Sequence, residues 1–257
     1  MSLEDKYYNT PLIKLYSKIE NPNNYFIDIG ASDGPGPIFP FLRDEDNYGL
    51  CVEGRDYLYE QLKNNINNNN VDIHMGFIYP HTINSIFKKY NVPAEPDILK
   101  IDIDGYDLDV LKNILEEYKP KIIIAEINEK IPPPIYFEVK YSETFNFDSS
   151  HFYGFSIQAG KEVIEPYGYT LVSILGGNNI ICLRNDIFGN NTLDLNTIYK
   201  VGYAENKEVF EEFPWNNDVD IWYTIKDTDL LKEGIIHYYT QINLRGKPVS
   251  RDSFIIR

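Results

Sequence analysis

Two carboxylates two residues apart, Asp102 and Asp104, stand before Gly105-Tyr106-Asp107, and an acid and an amide with the same spacing, Glu126 and Asn128, follow further on. In a strand, residues two apart share a face, so each pair is expected to point one way. Aligned carboxylates repel unless a cation, a donor or a proton lies between them. Oxygen ligands converging at neighbouring strand ends would suit a hard divalent ion, Mg²⁺ or Mn²⁺, held by Asp104, Glu126 and Asn128. The alternative is a cluster that works by hydrogen bonding alone. Asp104 is the first choice for the reaction centre, as metal ligand or as direct base. His151, in Ser149-Ser150-His151-Phe152-Tyr153-Gly154, is the second candidate base, because an unperturbed imidazole titrates near neutrality. The plain alternative for a lone loop histidine is solvation.

A second constellation is Phe26-Ile27-Asp28-Ile29-Gly30-Ala31-Ser32-Asp33-Gly34. A glycine turn after an apolar strand lets the backbone approach a ligand closely. The dinucleotide fingerprint needs G-x-G-x-x-G running into a helix, whereas here the glycines are Gly30, Gly34 and Gly36, with Asp28 and Asp33 among them. Carboxylates at this place repel a pyrophosphate but accept from an ammonium group. Adenosylmethionine carries an ammonium and a sulfonium and no phosphate, so the turn favours it over NAD. Its expected contacts are Asp28, Gly30, Ser32, Asp33, Gly34 and Asp102. Glu53 lies about 20 residues beyond the turn, where an acid takes ribose hydroxyls. Gly76 and Phe77 could border the adenine, although core packing is the stronger expectation for Met75 and Phe77.

These residues need a scaffold, and the hydrophobic pattern supplies alternating strands and helices. Leu12, Ile13, Tyr16 and Ile19 have helical spacing within a segment from Leu3 to Ile19. Strands are expected at Tyr25–Ile29, Tyr48–Glu53, Val71–Met75, Ile98–Asp104 and Lys121–Asn128. Helices are expected near Tyr57–Asn67, Ile83–Tyr90 and from Leu108 to Pro120. Continuous apolar strands alternating with helices predict an α/β fold, a parallel sheet with helices on both faces. Ligands of such sheets bind at the carboxyl ends of the strands, where these acids stand. Beyond Pro132-Pro133-Pro134, the stretch Tyr136–Phe152 reads as a long loop or lid. Ser156–Tyr167 can be helical, and Tyr169–Leu175 with Asn179–Leu183 reads as a hairpin turned by Gly176-Gly177. The expected organisation is one domain over 1–188 and an extension over 189–257 that packs on the core or makes an oligomer contact.

Three segments carry a family resemblance: Phe26–Gly34, Leu99-Lys-Ile-Asp-Ile-Asp-Gly-Tyr-Asp with Val110-Leu111, and Ile124-Ala-Glu-Ile-Asn. Together they resemble FkbM-type adenosylmethionine-dependent methyltransferases over about residues 22 to 186. Gly154-Phe-Ser, Gly168-Tyr-Thr-Leu-Val and Asn178–Asp186 resemble the closing part of that family. Pro35-Gly36-Pro37 departs from the usual helix start after the glycine turn. The resemblance implies a Rossmann-like, seven-stranded, mostly parallel sheet with an antiparallel last strand. It also implies methyl transfer to oxygen on a sugar acceptor, including a nucleotide-activated sugar such as a heptose of capsule or surface-glycan biosynthesis.

Composition narrows the partners. The 257 residues include 39 acids against 24 Lys and Arg, a net charge of −15. Such a surface repels phosphate backbones and anionic lipid, so neither nucleic acid nor a membrane is an expected partner. No apolar run approaches the roughly 18 residues of a spanning helix. The start Met1–Lys6 lacks a basic and apolar leader, and Cys51 and Cys182 fall in apolar runs as buried thiols. The expected location is the cytoplasm. Two other classes remain open: a binding module without catalysis, and an NAD-dependent sugar dehydrogenase, which the acid-rich turn disfavours.

Overall fold

The computed structural model describes residues 11–190 and 193–257. Nine strands are described: β1 (Tyr25–Ile29), β2 (Tyr48–Glu53), β3 (Val71–Met75), β4 (Ile98–Ile101), β5 (Ile122–Glu126), β6 (Phe137–Val139), β7 (Tyr169–Leu175), β8 (Asn179–Arg184) and β9 (Phe254–Ile256). Seven form one mostly parallel sheet in the order β3-β2-β1-β4-β5-β8-β7, and β6 and β9 form a separate pair. The sheet is that of a Rossmann-like α/β fold, with β7 and β8 as the closing hairpin. Chain contacts divide the residues into two units, 1–103 with 110–124 and 183–189, and 104–109 with 125–182 and 190–257. No helix among the described residues is long and apolar enough to cross a membrane.

In the first unit, β1 pairs in parallel with β2 and β4, and β2 with β3. Ile27, Leu50, Leu99 and Ile101 are fully buried, the pattern of strands covered on both faces. Asp97, buried just before β4, accepts from the Asn23 and Asn24 amides and from Lys121 Nζ at 2.6 Å. It thereby ties the start of β1 to the start of β4. The expected helices are found at Asp56–Asn65, Ile83–Lys89 and Asp107–Glu117. The N-terminal helix covers Pro11–Tyr16; positions 3–10 of that expectation lie outside the described residues. The helix after the glycine turn is short, Phe39–Arg43, and starts late because a proline disfavours the helical region for the residue before it, here Gly34 and Gly36.

The second unit corrects an expectation. Tyr136–Phe152 is not simply a loop or lid: Phe137–Val139 is β6, paired antiparallel with β9 in the register Phe137↔Ile256. The extension supplies β9 and the helix Thr228–His237, capped by Asp227. Ile135, Phe137 and Phe152 share one aromatic core with Trp222, Tyr239 and Phe254. A three-residue strand is too short to show an alternation, and its partner lies more than a hundred residues away, so neither was visible as pattern. The expected helix is observed at Ile157–Ile164, where Ser156 Oγ accepts from the Ala159 amide. Tyr136, Phe152, Tyr153 and Trp222 are buried in packing, while Trp215 is exposed. Cys51 and Cys182 are buried free thiols.

Candidate active site

In the first unit, the turn after β1 is built by a close backbone approach. Gly30 has φ of +77°, and a Cβ there would stand 1.7 Å from the Asp102 carbonyl oxygen. Only glycine fits. The Gly30 and Ala31 amides both donate to Val52 O at 3.0 Å, locking the turn to β2. Ser32 has φ of +53°, and its amide donates to Glu53 Oε2 at 2.8 Å. Glu53 is buried, and its Oε1 accepts from the Arg55 amide at 2.8 Å and from Arg55 Nε at 3.4 Å. Asp33 O accepts from Asn65 Nδ2 at 2.7 Å, which holds the turn to the helix after β2.

Asp28 does not stand open at the strand end. It is buried and ion-paired with Lys100 Nζ at 3.2 Å, and the same ammonium meets Asp102 at 3.4 Å. Burial pushes the Asp28 carboxyl up, and the Lys100 charge pulls it back. Burial opposes the Lys100 charge too, but Asp28 and Asp102 together hold it above the ordinary lysine range. Lys100 went unnoticed in the sequence reading. The signal was there: a lysine inside Ile98-Leu99-Lys100-Ile101, a strand buried throughout, must find a partner.

Beyond β3 the structure overturns the core-packing expectation for two side chains. Met75 is 46% and Phe77 63% exposed. The Phe77 ring lies over Gly54, where a Cβ would come within 2.7 Å of Phe77 Cδ1. An exposed aromatic face thus stands beside the residue that follows Glu53. Gly76 lies against the His74 ring.

In the second unit, β4's period no longer positions Asp104, because the strand ends at Ile101 and Asp104 takes φ of +56°. A non-glycine residue in this region holds of order 1–3 kcal/mol of local strain and persists where neighbours over-determine it. Here the Gly105 amide donates to Asp107 Oδ2 at 2.9 Å, and Gly105 O accepts from the Gly154 amide at 2.7 Å. Asp104 and Glu126 each bring a carboxylate oxygen to within 4.8 Å of one another. Glu126 Oε1 also accepts from Asn178 Nδ2 at 3.2 Å. Asn128 is fully buried, and its Nδ2 donates to the carbonyls of His151 and Tyr153 and to Tyr239 Oη. Its Oδ1 has no hydrogen-bond partner.

The next two residues form a network that sequence reasoning missed. Lys130 Nζ donates to Glu129 Oε1 at 3.1 Å and to Tyr153 Oη at 2.6 Å, and Tyr153 Oη donates to Glu129 Oε2 at 2.7 Å. Asn216 Nδ2, from the tail, donates to Glu129 Oε1 at 2.7 Å. Burial lowers the Lys130 pKa, against the pull of Glu129. In sequence Glu129-Lys130 is an ordinary surface-like charge pair, and nothing local marks it as buried.

His151 is not the solvated loop residue of the plain alternative. It is 1% exposed, its Nε2 is 3.3 Å from Asp218 Oδ2, and Arg245 Nε holds the same oxygen. Burial, and then the Lys130 charge, press its pKa below the ordinary value; Asp218 opposes them. The unfolded chain therefore binds this proton more readily than the folded one. The neutral ring's contribution to stability is complete above about pH 6.5 and is lost as pH falls below it. Substituting His151→Gln is expected to flatten that part of the pH–stability curve. Urea midpoints at about pH 7.5 and about pH 5.5 measure it; an unchanged difference would assign the dependence to other groups.

Residues 79–179 match the family model of the methyltransferase FkbM domain. Over that segment the chain is similar to FkbM methyltransferases. The matched FkbM segment includes Asp102, Asp104, Glu126, Asn128 and His151 and begins after the glycine turn and Glu53. No curated protein matches the chain. Similar solved structures include the N-terminal domain of EvdMO1 with SAH bound, at 11% identity, covering 71% of this chain and 79% of that one, with a TM-score of 0.42. The methyltransferase domain of bacterial CtHen1-C is 14% identical over 71% of this chain and 99% of that one, with a TM-score of 0.45. SAM-bound CalS10, an amino pentose methyltransferase from Micromonospora echinaspora, is 9% identical over 72% of this chain and 92% of that one, with a TM-score of 0.44.

Proposed function

We propose that this chain is an adenosylmethionine-dependent methyltransferase that modifies a sugar hydroxyl. The observation that carries the reading is the chemistry of the turn between β1 and β2. Asp28, Asp102 and Glu53 surround it, and the helix that follows begins only at Phe39, five residues beyond Gly34, rather than at the glycine turn as a diphosphate site needs. The residues fit the cofactor. An ionised carboxylate has about four acceptor positions, and Glu53 uses three on Ser32 and Arg55. The weakest, from the half-exposed Arg55 side chain at 3.4 Å, is the contact a ribose diol would replace. The Asp102 side chain is 30% exposed and can accept from an ammonium group. Asp28, held by Lys100, shapes the turn from beneath.

Phe77 supplies the adenine face in this reading. Truncation Phe77→Ala is expected to weaken adenosylmethionine binding about 5- to 100-fold, the equivalent of roughly 1–3 kcal/mol of lost stacking. Because the ring is exposed, folding stability should stay the same. Isothermal titration checks it, and unchanged affinity would place the adenine elsewhere.

The bound cofactor supplies an electrophilic methyl group with a neutral thioether as leaving group. A sugar hydroxyl is a weak acid and needs a base as its oxygen forms the new bond. Asp104 takes that proton. His151, at 1% exposure, shows no open face to a hydroxyl. Asp104 and Glu126 are also the residues that would hold Mg²⁺ or Mn²⁺, with Asn128 Oδ1 as a further oxygen, and such an ion would stabilise the alkoxide. The family resemblance favours a nucleotide-activated sugar, such as a heptose of capsule or surface-glycan synthesis, as acceptor. Mass spectrometry of nucleotide sugars incubated with the protein and adenosylmethionine tests this as a gain of one methylene. Full turnover in EDTA removes the ion from the scheme. Cofactor binding with no acceptor modified would favour a non-catalytic binding module.

A further inference from the structure

The second unit contains a cavity of about 410 Å³ between the segment 140–152 and the last strand region, 249–253. Its apolar wall is Phe145 and Phe152, and its polar wall includes Lys140, Ser142, Asn146 and Asp148. Phe145 is fixed against the Asp104-Gly105-Tyr106 turn. A Cβ on Gly105 would stand 2.7 Å from Phe145 Cε1, and the Phe145 and Tyr106 rings meet edge-on at 5.8 Å. Tyr141 is tied to the same turn region, its amide donating to Asp109 Oδ2 at 2.9 Å and its ring 4.9 Å from that of Tyr106.

We infer that this cavity binds the sugar ring of the acceptor as a neutral, hydroxyl-rich ligand. The inference deepens the proposed sugar methylation and rests on it for the acceptor's class. The volume lies within the roughly 300–1,000 Å³ range of small-molecule sites. A pyranose has an apolar C–H face and an edge of hydroxyls that both donate and accept. Phe145 and Phe152 suit the face; Ser142, Asn146, Asp148 and Lys140 suit the edge. Asp148 and Asp252 on the wall outnumber the one lysine among the residues that line it, so a phosphate or diphosphate is repelled here and any nucleotide part of the acceptor stays outside.

Saturation-transfer NMR on the full chain tests this with methyl glycosides of glucose, galactose, mannose and fucose as probes. At least one glycoside should receive saturation from the wild type. Phe145→Ala and Asn146→Trp should each weaken it tenfold or more. Adenosylmethionine affinity, from a separate titration, should stay within twofold. Asn146 is exposed, so the tryptophan fills the cavity without removing the support that Phe145 provides to Gly105. No transfer to any glycoside, or an Asn146→Trp variant that binds as the wild type does, overturns the cavity assignment while the cofactor titration leaves the methyltransferase reading standing. A wild type that binds no adenosylmethionine counts against that reading, and the glycoside signal then judges the cavity by itself.

Discussion

Asp104→Asn is expected to lower kcat by about 10²- to 10⁴-fold, the range of a lost general base, with the Kd for adenosylmethionine within about twofold of the wild type. The substitution isolates the proton acceptor from the backbone. Asp104 holds φ of +56°, and asparagine occupies that region at least as readily as aspartate. The Gly105 amide keeps its bond to Asp107 Oδ2, so the turn has its own support when the charge at 104 is gone. Single-turnover kinetics on an acceptor found by mass spectrometry would separate the chemical step from binding. Equal losses in kcat and in cofactor affinity would assign Asp104 to the architecture of the turn. If an ion lies between Asp104 and Glu126, Asp104→Asn should in addition raise the concentration of Mg²⁺ needed for half-maximal rate.

The largest effect on stability is expected from Lys100→Met, a loss of about 3–5 kcal/mol, because it leaves the buried Asp28 carboxylate without its counter-ion. The Asp28 and Lys100 side chains are 3% and 7% exposed, so water cannot take the partner's place. The methionine keeps most of the stem's volume, which confines the change to the charge. Adding Asp28→Asn to Lys100→Met should recover much of the loss, since neither side then buries an ion. Urea unfolding of the two single variants and the double variant forms a double-mutant cycle. A single-variant loss under about 1 kcal/mol would show that Asp28 does not depend on Lys100. The Gly30 carbonyl is 3.5 Å from Lys100 Nζ, so the same variant should also loosen the turn and weaken adenosylmethionine binding.

Along the first half of the chain, strand and helix positions follow closely from composition and period. Tyr25–Ile29, Tyr48–Glu53 and Val71–Met75 are strands as their patterns predict. Each is a local run long enough to show its period, and each ends in a turn residue. The FkbM resemblance was visible for the same reason, since its motifs are short and contiguous. The errors have physical causes as well. Period two was extended through Asp104, although the chain leaves the strand after Ile101. Met75 and Phe77 were assigned to the core by type, although both side chains are largely exposed.

By itself the sequence determined the α/β class and the acid-rich glycine turn, because those depend on neighbours a few residues away. Tertiary structure alone decided the pairing of Asp28 with Lys100, the burial of His151 on Asp218, and the closure of Glu129 by Asn216. Each joins residues 67 to 87 positions apart. A charge's partner at such a separation is set by how strands and helices pack, and no local period encodes it.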